Sequence, residues 1–283
     1  MVSVSTFPPV RACLFDMDGL LIDTEDIYTD VVNIILKENN RPLMPWSIKA
    51  QLQGRPGPAA TKLFMDWAQL PIPLSEYLAR LSELHSASFP ACAPLPGVPE
   101  LLATLHAAAS VAAPNETIEI ALATSSASST FKVKTAHLQD LFKFFALAQQ
   151  VIGDDPRVAQ GRGKPAPDIY LVALETINAR RRGEGKDEIR PEECLVFEDS
   201  VTGVESGRRA GMRVVWVPHP GLLAELKGLE ERVLAGAIGE ANRDDGCVNE
   251  DLGTAGTVGD GGGELRGSLV AFDYARYGII PAV

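Results

Sequence analysis

The sequence predicts an α/β fold in which a doubly wound, mostly parallel sheet carries helices on both faces. Two observations support this: short apolar runs that do not alternate with polar residues, and helix-length segments between them. The runs are Ala12-Cys13-Leu14-Phe15, Glu119-Ile120-Ala121-Leu122-Ala123, Cys194-Leu195-Val196-Phe197 and Arg213-Val214-Val215-Trp216-Val217. Runs of this length fit strands buried on both sides, as in parallel sheets. At 283 residues and 46% hydrophobic, the chain can bury such a core unaided, and its length suggests two domains or one core with an insert.

The residues that end each run matter more than the run itself. The first stops at Asp16, with Asp18-Gly19 next; the second at Thr124, Ser125 and Ser126; the third at Glu198-Asp199-Ser200; the fourth at Pro218. Helices are expected over 131–145, 167–179 and 201–210, the last closed by Gly211. Ligands of such sheets bind beyond the carboxyl ends of the strands, so Asp16, Asp18, Thr124, Glu198 and Asp199 should meet at one rim. A single acid after a strand is ordinarily a turn residue. Three runs ending in metal- or phosphate-compatible groups, with a lysine signature elsewhere, favour a functional rim.

Hard oxygen donors without histidine or thiolate neighbours suit Mg²⁺. Asp16, Asp18 and Asp199 would repel one another strongly without a divalent cation among them, and Glu198 joins directly, through water or from just behind. With the cation present, Asp16 can act as a nucleophile on phosphorus. Asp18 can donate a proton to the leaving oxygen and then accept one from the attacking water. Thr124 supplies a hydroxyl, and the backbone N–H groups from Ser125 onward suit a phosphate. Lys164, in the rigid Gly163-Lys164-Pro165-Ala166-Pro167-Asp168 segment, supplies the positive side chain the acids otherwise lack. There is no G-x-S-x-G elbow, no P-loop and no G-x-G-x-x-G after a strand. His85, His106, His137 and His219 show no ligand spacing and are expected as ordinary surface or interface residues.

Of the eleven net negative charges, six fall within 239–264, where seven acids face one base among eight glycines. That stretch reads as a flexible acidic loop. The remaining body is mildly acidic, which excludes a nucleic-acid surface. No apolar run approaches the roughly 20 residues of a membrane span. The N-terminus carries no signal-peptide pattern, and the four cysteines show neither pairing nor metal spacing. The expectation is a cytoplasmic monomer acting on a small phosphorylated metabolite.

Taken in order, Phe15-Asp16-Met17-Asp18-Gly19, Thr124, Lys164 and Glu198-Asp199 resemble the four motifs of the haloacid dehalogenase-like hydrolases, from about residue 11 to 218. The resemblance implies a Rossmann-like core, Asp16 as nucleophile and Asp18 as acid/base. It also implies Thr124 and Lys164 on the phosphate, and Mg²⁺ held by Asp16, the Asp18 carbonyl and Asp199. It further implies a small all-helical cap, placed at 23–95 and inserted into a core of 1–22 and 96–283. Asp23 or Thr24 then caps a helix with Ile27, Val31, Ile34 and Ile35 along one face. Gly54-Arg55-Pro56-Gly57 is a loop, Trp67, Tyr77, Leu78, Leu81 and Leu84 continue helical spacing, and Arg55 is the candidate substrate contact. Within the family, Leu122-Ala123-Thr124-Ser125-Ser126 and Val151-Ile152-Gly153-Asp154-Asp155-Pro156 are similar to segments of the pseudouridine-5'-phosphatase group. The implied activity is hydrolysis of a small sugar- or nucleotide-type phosphate through an aspartyl-phosphate. Glycerol-phosphate hydrolysis, a β-phosphoglucomutase-type isomerisation and a non-catalytic module are the alternatives. Against the mutase, Tyr28 stands where those enzymes place a histidine.

Overall fold

The computed structural model describes residues 7–55, 57–238 and 252–282. Six strands pair in parallel: β1 (Ala12–Phe15), β2 (Glu119–Ala123), β3 (Gln150–Val151), β4 (Cys194–Glu198), β5 (Arg213–Trp216) and β6 (Gly263–Leu265). Their spatial order is β3-β2-β1-β4-β5-β6. All four apolar runs are strands, and every residue of β1, β2, β4 and β5 is buried. The pleat explains why they do not alternate. Cys13 and Phe15 face one apolar cluster with Val98, Leu101, Leu102 and Leu105 of α5 (Val98–Ala107). Ala12 and Leu14 face the other, with Ile169, Tyr170, Ala173 and Ile177 of α8 (Asp168–Gly183). Both faces are covered, so both carry apolar side chains.

The chain runs outward from β1 to β2 and β3, then returns to β4 on the far side of β1, so the crevice between β1 and β4 is the switch point where such sheets bind ligands. Register there is set by Phe15 opposite Phe197, their rings stacked 4.5 Å apart and 4° from parallel. Such a pair adds about 1 kcal/mol beyond its burial. The next residues, Asp16 and Glu198, therefore leave the sheet side by side, and the Asp16 N–H donates to the Phe197 carbonyl at 3.0 Å.

Among the described residues, four α-helices lie between β1 and α5: α1 (Thr24–Glu38), α2 (Trp46–Leu52), α3 (Gly57–Ala68) and α4 (Leu74–Ser88). They bury a separate apolar cluster of Val32, Ile35, Leu36, Phe64, Ala68 and Tyr77. The buried face of α1 differs from the sequence expectation. Val32 and Leu36 point inward, whereas Ile34 is 39% exposed. Asp23 holds the N-cap position of α1, as expected, but its side chain makes no capping bond, and Thr24 is the first helical residue. Asp23 accepts from the Ala93 N–H at 2.7 Å, and the Thr24 hydroxyl donates to Asp18 Oδ1 at 2.7 Å. Gly57 opens α3 instead of extending the loop. The indole of Trp46 stacks on His219, just before α10 (Pro220–Glu225), with ring centroids 4.5 Å apart.

Two further expectations need correction. The helix over 131–145 is broken into α6 (Ser128–Thr135) and a single turn, α7 (Gln139–Phe142). The break at Leu138 (φ −114°, ψ 31°) lets Leu141, Phe142 and Phe145 enter the core beside Phe131. Of the expected acidic loop, 239–251 lies outside the described residues, while its end is not loop: Gly263–Leu265 is the edge strand β6. Its glycines make room for a side chain. A Cβ at Gly262 would lie 1.8 Å from Arg208 Nη1, and Arg208, on α9 (Val201–Arg209), is buried and paired with Asp260. Among the described residues, no helix is long and apolar enough to cross a membrane, and Cys13, Cys92 and Cys194 are free and buried.

Candidate active site

The strand ends deliver what the register promises. Lys164 Nζ, 1% exposed, lies 2.5 Å from Asp16 Oδ1 and 2.6 Å from Glu198 Oε1, and donates to the Ala123 carbonyl at 3.0 Å. Both Glu198 oxygens are engaged. Oε1 also accepts from the Tyr170 hydroxyl at 2.6 Å, and Oε2 accepts from the Ser200 hydroxyl and the N–H groups of Asp199 and Ser200. Glu198 is thus first the counter-ion of Lys164. Gly203, in the first turn of α9, is required for this arrangement, because a Cβ there would sit 1.9 Å from the Glu198 carboxyl carbon. Asp199 is held by its backbone, whose carbonyl accepts from the Trp216 indole N–H at 2.8 Å. Gly19 (φ +75°) turns the chain against it, where a Cβ would lie 2.3 Å from Asp199 Oδ2.

Asp16, Glu198 and Asp199 each present a buried carboxylate oxygen, all within 4.8 Å of one another. Burial pushes the Asp16 carboxyl upward, with Lys164 opposing and Glu198 reinforcing. Burial likewise pushes Asp199 up, helped by Glu25 and Asp16. One ammonium thus faces three carboxylates away from water, and the Gln53 amide oxygen beside them is buried without a partner. An all-oxygen set with surplus negative charge fits a hard divalent cation.

The Asp18 carboxylate does not join this group, contrary to the expected Asp16–Asp18–Asp199 cluster. It accepts from Thr24 at 2.7 Å, from the Ser126 hydroxyl at 2.6 Å and from Lys134 Nζ at 2.6 Å. Burial alone would raise its pKa, but Lys134 and the two hydroxyls outweigh that and hold it below the usual value. Lys134 is the residue sequence reasoning missed, since Lys164 was expected to be the one cation near the acids. Its signal was a lysine on the helix that starts immediately after Thr124-Ser125-Ser126. Thr124 is fully buried, and its hydroxyl accepts from the Ser126 N–H at 3.1 Å, which shapes that turn.

A cavity of about 540 Å³ opens between the strand ends and helices α1–α4. Asp16, Asp18, Ser125, Ser126 and Asp199 line one side; Tyr28, Phe64, Tyr77, His85, Lys49, Gln53 and Arg55 line the other. Thr124, Lys164 and Glu198 sit behind this wall. His85 is therefore a cavity residue instead of a plain surface histidine, its ring stacked on Phe89 at 4.5 Å. Arg55 reaches the cavity as expected, but it is buried and its Nε donates to the Gln51 carbonyl. Gln53 bridges the two sides, donating from Nε2 to Asp199 Oδ2 at 2.5 Å.

Residues 10–211 match the family model of the haloacid dehalogenase-like hydrolases. The chain is 45% identical over 270 residues to a Saccharomyces cerevisiae protein named a probable pseudouridine-5'-phosphatase, covering 95% of this chain and 98% of that one. It is 34% identical over 227 residues to (DL)-glycerol-3-phosphatase 2 of Arabidopsis thaliana, covering 80% of this chain and 86% of the relative. Among solved structures, it resembles a haloacid dehalogenase family hydrolase of Deinococcus radiodurans with bound phosphate and sodium. That match has a TM-score of 0.54 and 28% identity, covering 75% of this chain and 82% of the other. With its strand-end residues gathered at the switch point of a parallel sheet and this family model spanning most of its length, the chain belongs to the haloacid dehalogenase-like hydrolases.

Proposed function

We propose that this hydrolase is a Mg²⁺-dependent phosphomonoesterase acting on a small sugar- or nucleotide-type phosphate, with pseudouridine 5'-phosphate the first candidate. The observation that carries the reading is the Asp16–Lys164 contact of 2.5 Å, set in a buried carboxylate group that opens onto the cavity. Asp16 Oδ attacks phosphorus, the bond from phosphorus to the leaving oxygen breaks, and Asp18 gives that oxygen a proton. Lys134 and the two hydroxyls favour the ionised Asp18 carboxylate, which therefore has to take up this proton first. Asp18 then takes a proton from the water that attacks the aspartyl-phosphate, which releases phosphate and restores Asp16. Lys164 holds Asp16 and offsets charge on the phosphoryl oxygens; Ser125 and the adjacent N–H groups receive those oxygens, while Thr124, just behind the wall, shapes the turn that presents them. The Asp16 and Asp199 carboxylates and the Asp18 carbonyl would hold the ion, which when bound supplies charge neutralisation at the phosphoryl group.

Helices α1–α4, within the expected cap of 23–95, serve as the lid that excludes water and selects the leaving group. Tyr28, Phe64, Tyr77 and His85 in the cavity wall suit a leaving group with a planar ring better than glycerol. Phosphate release should be assayed with pseudouridine 5'-phosphate, other nucleoside monophosphates, sugar phosphates and glycerol phosphates, each with and without Mg²⁺. The expected result is release only with Mg²⁺ and fastest from a base-bearing ester. Isomerisation of a sugar phosphate without release, or no turnover of any ester, would reject the reading.

A further inference from the structure

The reaction proposed above leaves unused a buried cation that touches Asp18. Lys134, on α6, has a fully buried side chain. Its Nζ lies 2.6 Å from Asp18 Oδ1, 2.6 Å from the Tyr28 hydroxyl and 2.8 Å from the Ser126 hydroxyl, so all three ammonium protons have acceptors. The rings of Tyr28 and Phe89 flank it, each centroid 4.7 Å from Nζ. Stripping water from an ammonium is costly, and a methionine would fill the same slot without that cost. The charge therefore calls for a reason beyond packing.

That reason lies in the pairing of charges. Lys164 is committed to Asp16 and Glu198, which leaves Asp18 to Lys134. Ser126 bonds Asp18 Oδ2 and accepts from Lys134, so lysine, serine and carboxylate close a ring that fixes both carboxylate oxygens. Thr24 adds a bond to Oδ1 from the first residue of α1, and Tyr28 lies one turn further along the same helix. The carboxylate orientation is thus tied both to the turn after β2 and to the first helix of the lid.

We propose that Lys134 is a positioning residue: with Ser126 and Tyr28 it holds the Asp18 carboxylate in one orientation at the cavity wall, so that proton transfer to the leaving oxygen depends on Lys134. The proposal rests on Asp18 being the acid/base group. It separates Lys134 from Lys164, which meets the nucleophile.

The test compares two esters that differ in their need for an acid. An alkyl phosphate requires protonation of its leaving oxygen, whereas p-nitrophenyl phosphate departs as a stable anion. Lys134→Met is expected to lower kcat/KM for the alkyl ester by roughly tenfold or more while changing the aryl ester by less than about threefold, the cost of a misplaced acid. Lys134→Arg, which keeps the charge, should recover part of the alkyl rate. Equal losses on both esters, or no loss on the alkyl ester, would overturn the proposal. If Lys134→Met fails to fold, Tyr28→Phe removes one acceptor and should shift the alkyl-to-aryl ratio in the same direction by a smaller factor; an unmoved ratio would overturn the proposal. Asp18→Asn, run in parallel, separates the two levels. A wild-type alkyl rate in that variant removes the acid/base reading and this proposal with it, whereas a large loss there beside a normal Lys134→Met defeats this proposal alone.

Discussion

Lys164 Nζ and Asp16 Oδ1 meet at 2.5 Å across 148 positions of sequence, both nearly excluded from water. Glu198 shares the same ammonium, so one lysine compensates two carboxylates. Lys164→Met leaves both without their cation. The expected result is a loss of about 3–5 kcal/mol of stability and at least about 10²-fold in turnover. Urea unfolding and phosphate release measure the two effects separately.

Asp16→Asn removes the nucleophile while Lys164 keeps Glu198 as its partner. Turnover should fall by about 10⁴-fold or more with the melting temperature within a few degrees of wild type. Asp18→Asn should slow both formation and breakdown of the phosphoenzyme, which rapid-quench measurements resolve. Normal activity in either variant removes its assigned role.

Gly203→Ala should be destabilising, although alanine is ordinarily the better helix former by about 1 kcal/mol. The added Cβ would collide with the Glu198 carboxyl at 1.9 Å. A loss of about 1–3 kcal/mol is expected, with reduced turnover as Glu198 is displaced from Lys164. Unchanged thermal unfolding would show that Glu198 moves aside freely.

His85 carries the pH prediction. Burial lowers its pKa to about 4, Lys134 adds to the fall and Asp18 opposes it. The native state thus favours the neutral ring, whereas the unfolded chain takes up its proton near pH 6.5. This stabilisation is complete above about 6.5 and disappears as pH falls towards 4, a change of about 3 kcal/mol, of which about 2 kcal/mol is lost by pH 5. Urea midpoints at pH 7.5 and 5 should differ less in His85→Phe than in wild type; an equal difference would place the titration elsewhere.

Arg55→Ala should raise KM several-fold. Because Arg55 is buried and bonded to the Gln51 carbonyl, a stability loss of about 1 kcal/mol should accompany it. An unchanged KM would move the substrate contact to another wall residue.

The sheet was legible because β1, β2, β4 and β5 are buried on both faces and announce themselves as unbroken apolar runs. β3 and β6, two and three residues long, are too short for any pattern, and β6 hides among glycines. Asp16, Lys164, Glu198 and Asp199 could be grouped because each sits at or beside a punctuated strand end or loop. Lys134 could not, since a lysine on a helix ordinarily faces water. The orientation of Asp18 was equally hidden, being decided by Thr24 and Ser126 from separate elements. The buried stripe of α1 shifted from Ile34 to Val32 and Leu36 because Phe64 and Tyr77 meet it from that side.

The apolar cluster shared by α1, α3 and α4 is separate from the two that sandwich the sheet, yet it supplies Phe64 and Tyr77 to the cavity wall. Mutations there can remodel which molecules are admitted while the bond-breaking machinery, anchored in strand register, stays intact. Novel specificities are accordingly within reach of a few changes in the helical unit, with no rebuilding of the scaffold beneath.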